Sequence, residues 1–357
     1  MSQEPFKRVL ITGGAGFVGS SIALRLKHDF PDCEVVCVDN LHRKGSELNV
    51  PRLSAAGVSF VRADVRNREA FDGARYELII DAAAEPSVMA GVDGIRVDYV
   101  VDTNLGGTLN VLEAARRCSA AVMFLSTSRV YAVNALRAMR MRETDRRFEL
   151  SDIQEQAGVT VLGVDESFDV DGAKTLYGAT KYASEVMVRE YGAQFGLRVA
   201  VNRCGVIAGP WQMGRVDQGI IGLWVAAHIY GKRLKYIGYN GKQVRGILHI
   251  DDLCDLLLLQ LAHMDEWDGR VRNVGGGREV SVSLLELTEL CRTVAGRTIE
   301  IGYDDAVRPG DVPLYLSDTR KIRGELGWLP TRPAETIVED VVKWIMDNKE
   351  KFRGVLT

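Results

Sequence analysis

The run Arg8-Val-Leu-Ile-Thr12-Gly13-Gly14-Ala15-Gly16-Phe17-Val18-Gly19 decides the architecture of this 357-residue chain. An apolar strand, Arg8–Thr12, runs straight into glycines 13, 14, 16 and 19, and the pattern predicts a helix over Gly16–His28. Absent side chains let the backbone turn sharply and approach a pyrophosphate, whose charge sits against the helix N-terminus. Positions 14, 16 and 19 satisfy G-x-G-x-x-G, while 13, 16 and 19 satisfy G-x-x-G-x-x-G, and spacing leaves each glycine's role open. In this strand-turn-helix context Gly13, Gly16, Phe17, Val18 and Gly19 are candidate dinucleotide contacts.

Twenty residues past Gly19, Asp39 closes the next predicted strand, Glu34–Asp39, followed by Asn40. A carboxylate there bonds ribose hydroxyls and repels a 2′-phosphate, which favours NAD over NADP. Arg43 and Lys44 blunt that argument, since they could touch the adenosine half or simply face water. Asp64-Val65, after a third strand at Ser59–Ala63, is placed to meet adenine; Asp64 could equally cap a helix.

Further strands are expected at Leu78–Ala82, Val122–Ser126 and Arg198–Asn202, with helices at Asp102–Arg117 and Tyr177–Phe195. Strands that read as near-continuous Val/Ile/Leu runs belong to a sheet covered on both faces. The fold class is therefore α/β: a Rossmann-type doubly wound parallel sheet with a smaller C-terminal substrate-binding α/β domain. The expected boundaries are 1–203 for the NAD-binding domain, including an insertion at 132–170, and 204–357 for the second domain. Amphipathic helices near 252–264, 283–295 and 334–348 belong to that later part, of which about 238–275 returns to the first. The insertion carries Arg137, Arg140, Arg142, Arg146 and Arg147 beside Glu143 and Asp145, a pattern that suits a solvated surface.

Composition narrows the class. A net charge of −3 provides no basic field for nucleic acid or an anionic membrane. Met1–Arg8 is polar and precedes three apolar residues, which is no signal-peptide pattern, and no apolar run is long enough to span a bilayer. Six cysteines, at 33, 37, 118, 204, 254 and 291, lack Cys-x-x-Cys pairing or nearby histidines. No metal is expected, and the scattered thiols suit a reducing, cytoplasmic compartment.

Tyr177 and Lys181 are four apart on a predicted helix and share a face. A tyrosine of ordinary pKa, about 10, is a poor base at neutral pH, but an adjacent ammonium stabilises its phenolate. Such a pair can take a hydroxyl proton while hydride leaves the same carbon. Leu125-Ser126-Thr127 ends a strand, where open α/β sheets bind their ligands.

This arrangement resembles the extended short-chain dehydrogenase/reductase family that works on nucleotide sugars, from Val9 to about Ile345. Matching stretches include Thr12–Gly19, Asp39-Asn-Leu41, Asp64-Val65, Asn104–Asn110, Ser126–Tyr131, Tyr177-x-x-x-Lys181, Gly209-Pro210, Gln243-Val-Arg245, His249–Asp252 and Arg308-Pro-Gly-Asp311. Within the family, Asp39–Ser46, Ala84–Val88, Met141–Arg147, Asp217-Gln-Gly219 and Tyr239–Arg245 look like the CDP-paratose (CDP-tyvelose) 2-epimerases. The insertion therefore has a counterpart in that group.

The resemblance implies roles for individual residues. Thr127 would orient the sugar hydroxyl and share its proton with Tyr177, while Lys181 would hold the nicotinamide ribose. Ala82, Ala83 and Ala84 would lie along the cofactor with Ser126, and Asn104 would support the loop geometry. Arg245 and Arg308 would grip a diphosphate, for which a guanidinium fork is suited, or could instead be surface ion pairs. Ser87, Val88, Ser128, Arg129, Gln218 and Asp311 complete the substrate-side candidates. Asp81, Ala132 and Gly246 depart from the family pattern, where histidine, glycine and an acid are common. The resemblance also implies a homodimer or homotetramer through the Tyr/Lys helix, whose Val186, Met187 and Tyr191 could form an apolar face or be core.

A dehydratase of this family needs an acid beside the catalytic threonine, and a 3,5-epimerase a cysteine; Ser128 and Arg129 supply neither. The reading is 2-epimerisation of a CDP-hexose, as in cell-surface or lipopolysaccharide sugar synthesis, with tightly held, recycled NAD. Alternatives are a UDP-sugar 4-epimerase and a non-catalytic NAD-sensing regulator.

Overall fold

The computed structural model describes residues 6–73, 75–92, 94–215 and 218–356. Its principal strands are β1 (Arg8–Thr12), β2 (Glu34–Asp39), β3 (Ser59–Arg62), β4 (Leu78–Asp81), β5 (Ala121–Thr127) and β6 (Val199–Cys204). They continue with β7 (Val206–Ala208), β8 (Val244–His249), β9 (Val271–Val274), β10 (Ser281–Ser283) and β11 (Leu314–Tyr315). The longer helices are α1 (Phe17–Asp29), α2 (Gly107–Cys118), α3 (Leu176–Phe195), α4 (Ile220–Tyr230), α5 (Ile250–Ala262), α6 (Leu284–Ala295) and α7 (Ala334–Asp347).

One compact unit comprises residues 1–127, 176–203 and 254–272. Its seven-stranded sheet has the order β9-β6-β5-β4-β1-β2-β3. Pairing is parallel between β1 and β2, β1 and β4, β2 and β3, and β4 and β5. The central strands are buried along nearly their whole length, as apolar runs must be when helices cover both faces. Strand order reverses between β1 and β4, where Thr12 lies opposite Asp81. A crevice opens beyond the carboxyl ends of the strands at such a reversal, and ligands of open α/β sheets bind there.

The other unit comprises 128–175, 204–253 and 273–357. In its sheet β8 is flanked by parallel β7 and β11 and pairs antiparallel with β10. Helices α4, α6 and α7 pack on one another. Helix α6 starts at a reciprocal cap: Glu286 N–H donates to Ser283 Oγ at 3.1 Å, and Ser283 N–H to Glu286 Oε2 at 2.8 Å. Residues 141–150 and 159–164 form short antiparallel hairpins.

Two expectations shift. The 132–170 insertion falls with the second unit rather than inside 1–203, and the returning segment is 254–272 rather than about 238–275. The helix expected over Asp102–Arg117 opens with a π-helical turn, Asp102–Gly106, before regular α2. No disulfide joins the described cysteines, and Cys33 and Cys37 are buried. Among the described residues no helix is long and apolar enough to cross a membrane.

Candidate active site

The turn after β1 is built by backbone approach. Gly13 has φ +63°, and a Cβ there would stand 2.9 Å from both Ala82 O and Ala83 Cα. A Cβ on Gly19 would strike Gly13 O, so this glycine lets α1 sit directly on the turn. Gly16 is the N-cap of α1, and no side chain among the described residues caps it. Phe17 and Val18 open the helix beside it. A helix N-terminus with no side-chain cap suits an anion.

Asp39 closes the adjacent strand. Its Oδ2 accepts from Ala15 N–H at 3.1 Å and its Oδ1 from Leu41 N–H at 2.8 Å. Burial pushes its pKa above the usual carboxylate value, against the pull of the Leu41, Ala15 and Gly16 amides. Asn40 donates Nδ2 to Asp64 Oδ2 at 2.9 Å, and Arg66 donates Nη2 to the same oxygen at 2.8 Å. Those hydrogen bonds, led by Arg66, hold the Asp64 carboxyl far below its ordinary range. Val65 is buried beneath Gly107. A glycine turn against a bare helix end, with a carboxylate one strand over, fits a dinucleotide carrying free ribose hydroxyls.

Asp81, one of the departures from the family pattern, has a definite use. It is 1% exposed, accepts from Thr12 Oγ1 at 2.6 Å and from Thr108 Oγ1 at 2.8 Å. Thr12 Oγ1 in turn accepts from the amides of Ala82 and Ala83 at 3.2 and 3.1 Å. The carboxylate thereby fixes the start of the 82–84 chain beside the glycine turn. Ala84 continues this segment. Ser87 is buried, with its Oγ accepting Met89 N–H at 3.2 Å, and Val88 is half-buried.

Thr127 is the last residue of β5 and is buried, with Ser126 preceding it. Helix α3 carries half-buried Tyr177 and, one turn on, Lys181 at 2% exposure. The Lys181 ammonium lies 3.9 Å from the centre of the Phe124 ring on β5. A further turn along, Glu185 accepts from Ser126 Oγ and forms a buried two-pronged pair with Arg203 on β6, Nη2 to Oε2 at 2.7 Å. Asn104, in the π-helical turn, braces the other side. It accepts from Glu85 N–H at 2.7 Å and donates to Thr180 Oγ1 at 3.1 Å. The strand end, the 82–87 loop and α3 are thus bonded to one another, bringing the elements that carry Thr127, Tyr177 and Lys181 together.

The remaining substrate-side candidates belong to the second unit. Ser128 and Arg129 form the 3₁₀ turn after β5. Arg245, on β8, donates Nη2 to Asp311 Oδ1 at 2.5 Å, and Arg308 begins the turn that ends at Asp311. Gln218 is paired through its backbone with Arg215; its neighbour Asp217 lies outside the described residues. Sequence reasoning missed Thr108, Glu185 and Arg203. Glu185 had a visible signal in the four-residue spacing it shares with Tyr177 and Lys181, and Thr108 lay within the matching Asn104–Asn110 stretch.

Residues 9–275 match the NAD dependent epimerase/dehydratase family. The chain is 31% identical to a CDP-paratose 2-epimerase of Salmonella typhi, over 94% of this chain and 98% of that protein. It is 30% identical to a dTDP-glucose 4,6-dehydratase of Streptomyces niveus, over 96% and 94%. A Thermus thermophilus UDP-glucose 4-epimerase, solved as a complex with NAD, superposes with a TM-score of 0.74 at 25% identity, covering 95% of this chain and 99% of that one. The glycine turn, its facing carboxylate and near-full-length relatives lead to one conclusion: this chain belongs to the NAD dependent epimerase/dehydratase family and is an NAD-dependent enzyme of the nucleotide-sugar group within the extended short-chain dehydrogenases/reductases.

Proposed function

We propose that the chain is a 2-epimerase of a CDP-hexose of the paratose/tyvelose type. The observation that carries this reading is the strand end itself, where Thr127 is followed by Ser128 and Arg129, with neither carboxylic acid nor thiol to drive elimination or carbanion chemistry. Likeness to the Salmonella typhi CDP-paratose 2-epimerase supplies the nucleotide and the carbon.

Bound NAD supplies a hydride acceptor that can later return the hydride to the sugar. The chain's own residues do the rest. Thr127 orients the hydroxyl at C2. Tyr177, as phenolate, takes its proton, and the Lys181 ammonium stabilises that phenolate, so one helical turn supplies both base and tuning charge. The resulting 2-keto sugar turns over in the pocket, and Tyr177 returns the proton as the opposite face is reduced. No net oxidation occurs, so the cofactor stays bound between turnovers. Arg245 and Arg308 hold the diphosphate while the sugar moves.

UDP-sugar 4-epimerisation is the second reading, favoured by the likeness to the Thermus thermophilus enzyme, since the same triad serves a differently seated sugar. A purely NAD-sensing role finds no support in a chain that keeps both Tyr177 and Lys181. We also read the protein as cytoplasmic and homo-oligomeric. For the oligomer, Val186 is exposed on α3, while Met187 and Tyr191 pack against the chain's own core. Incubating the purified protein with CDP-, UDP- and dTDP-hexoses and assigning products by NMR tests the reading. Inversion at C2 of a CDP-sugar supports it; inversion at C4, or loss of water, overturns it.

A further inference from the structure

The segment 128–175 has a task that its charged composition hides. Both of its ends and one of its helical turns converge on a single turn, 308–312, within the same unit. Arg129 donates Nη1 to Gly310 O at 2.9 Å. Arg137 reaches Asp311 O with two donors, Nε at 3.0 Å and Nη2 at 2.7 Å. Thr175 packs so closely on Gly310, at φ +72°, that no Cβ would fit there. From the sheet side, Arg245 donates Nη2 to Asp311 Oδ1 and, at 2.9 Å, to Val312 O. The Tyr239 hydroxyl donates to Asp311 O at 3.5 Å.

The charge balance matters. Arg245 pairs with the Asp311 carboxylate while Arg137 reaches the Asp311 backbone carbonyl, and Arg308 opens the same turn, its carbonyl accepting Asp311 N–H at 3.1 Å. Arg129, Arg137 and Arg245 bond to this turn and Arg308 lies on it beside the Asp311 carboxylate, a set of guanidinium groups that suits an anionic ligand. Arg137 does not spend its charge on a carboxylate. It uses its fork to fix one peptide plane, and a fork holds orientation better than a single donor. Arg142, by contrast, is used locally, pairing with Glu149 inside the hairpin at 2.5 Å.

We propose that Arg137 is a positioning residue for substrate: it fixes the 308–312 turn so that Arg245 and Arg308 receive the diphosphate of a nucleotide. The inserted segment is then a substrate-affinity device. This rests on the reading above that Arg245 and Arg308 bind diphosphate, and extends it to a residue that does not itself touch the ligand. Arg137 is exposed, so its removal leaves the core intact.

Calorimetric titration of CDP, UDP and dTDP into the NAD-loaded protein tests this. Arg137→Ala should weaken the tightest of the three by about tenfold, the scale of one charge-assisted interaction. Arg137→Lys, which keeps charge without the fork, should recover only part of the loss. Arg142→Ala should match wild type, and unfolding midpoints and NAD content should be unchanged throughout. Wild-type affinity in Arg137→Ala overturns the proposal, as does an equal loss in Arg142→Ala. Binding is read rather than turnover, so a chain that inverts C4 instead of C2 still supports the proposal by the same affinities. A wild type that binds none of the three nucleotides overturns this proposal and the diphosphate reading together.

Discussion

At the scale of single residues the proposed mechanism rests on Tyr177 and Lys181. Replacing Tyr177 with Phe removes the proposed proton acceptor and leaves the helix unaltered. Turnover should fall by about 10²–10⁴-fold, the usual worth of a positioned acid–base group, with little change in KM or NAD content. Steady-state kinetics and cofactor release on denaturation check both halves of that statement. Asp64 offers a different test, through pH. Its folded pKa is held below the unfolded value by Arg66 and Asn40. A depressed carboxylate contributes stability that is complete above its unfolded pKa and lost as pH falls toward the folded one. Asp64→Asn should therefore melt earlier than wild type at pH 7, and the two should converge in strong acid. Arg66 is well solvated, so the difference should stay within about 1 kcal/mol. Thermal melts across pH decide it, and a gap that widens in acid would contradict the assignment.

Elements explain what could be read in advance. The glycine turn and the strands were legible because their signals are local: Arg8–Thr12 and Glu34–Asp39 appear as expected, and the others shift by a residue or two at their ends. The π-helical turn at Asp102–Gly106 was not, since apolar spacing runs on without a break into α2. Residues 128–175 were assigned to the wrong unit for a related reason. Their partners are distant in sequence: Val164 N–H donates to Leu316 O at 2.8 Å, and Phe148 N–H to Lys242 O at 3.1 Å. The Glu185–Arg203 pair joining α3 to β6 is another long-range feature. Glu185→Gln leaves a buried guanidinium underpaired and should cost about 3–5 kcal/mol in urea unfolding. The double variant Glu185→Leu with Arg203→Met should recover much of that loss. A single variant as stable as wild type would show the pair to be dispensable.

Across the whole molecule, the proposed catalytic residues of the first unit sit close in sequence to the points where the chain leaves and re-enters it. Thr127 is the last residue before the chain enters the second unit, and Tyr177 is the second after it returns at Leu176. The sheet of the first unit was foreseen in class and direction, and the expected return at about 238–275 contains the observed 254–272. A recycled cofactor has a stoichiometric consequence. Protein purified without added nucleotide should release close to one NAD(H) per chain on denaturation, and its activity should not require added NAD. An enzyme recovered free of cofactor and dependent on exogenous NAD would contradict retention between turnovers. The account as a whole depends on hydride leaving and returning to one carbon within a closed exchange with Tyr177. Conversion of the CDP-hexose in D₂O, followed by NMR of the product, tests this most directly. The account predicts inversion at C2 with no solvent deuterium on that carbon; deuterium at C2 would contradict it.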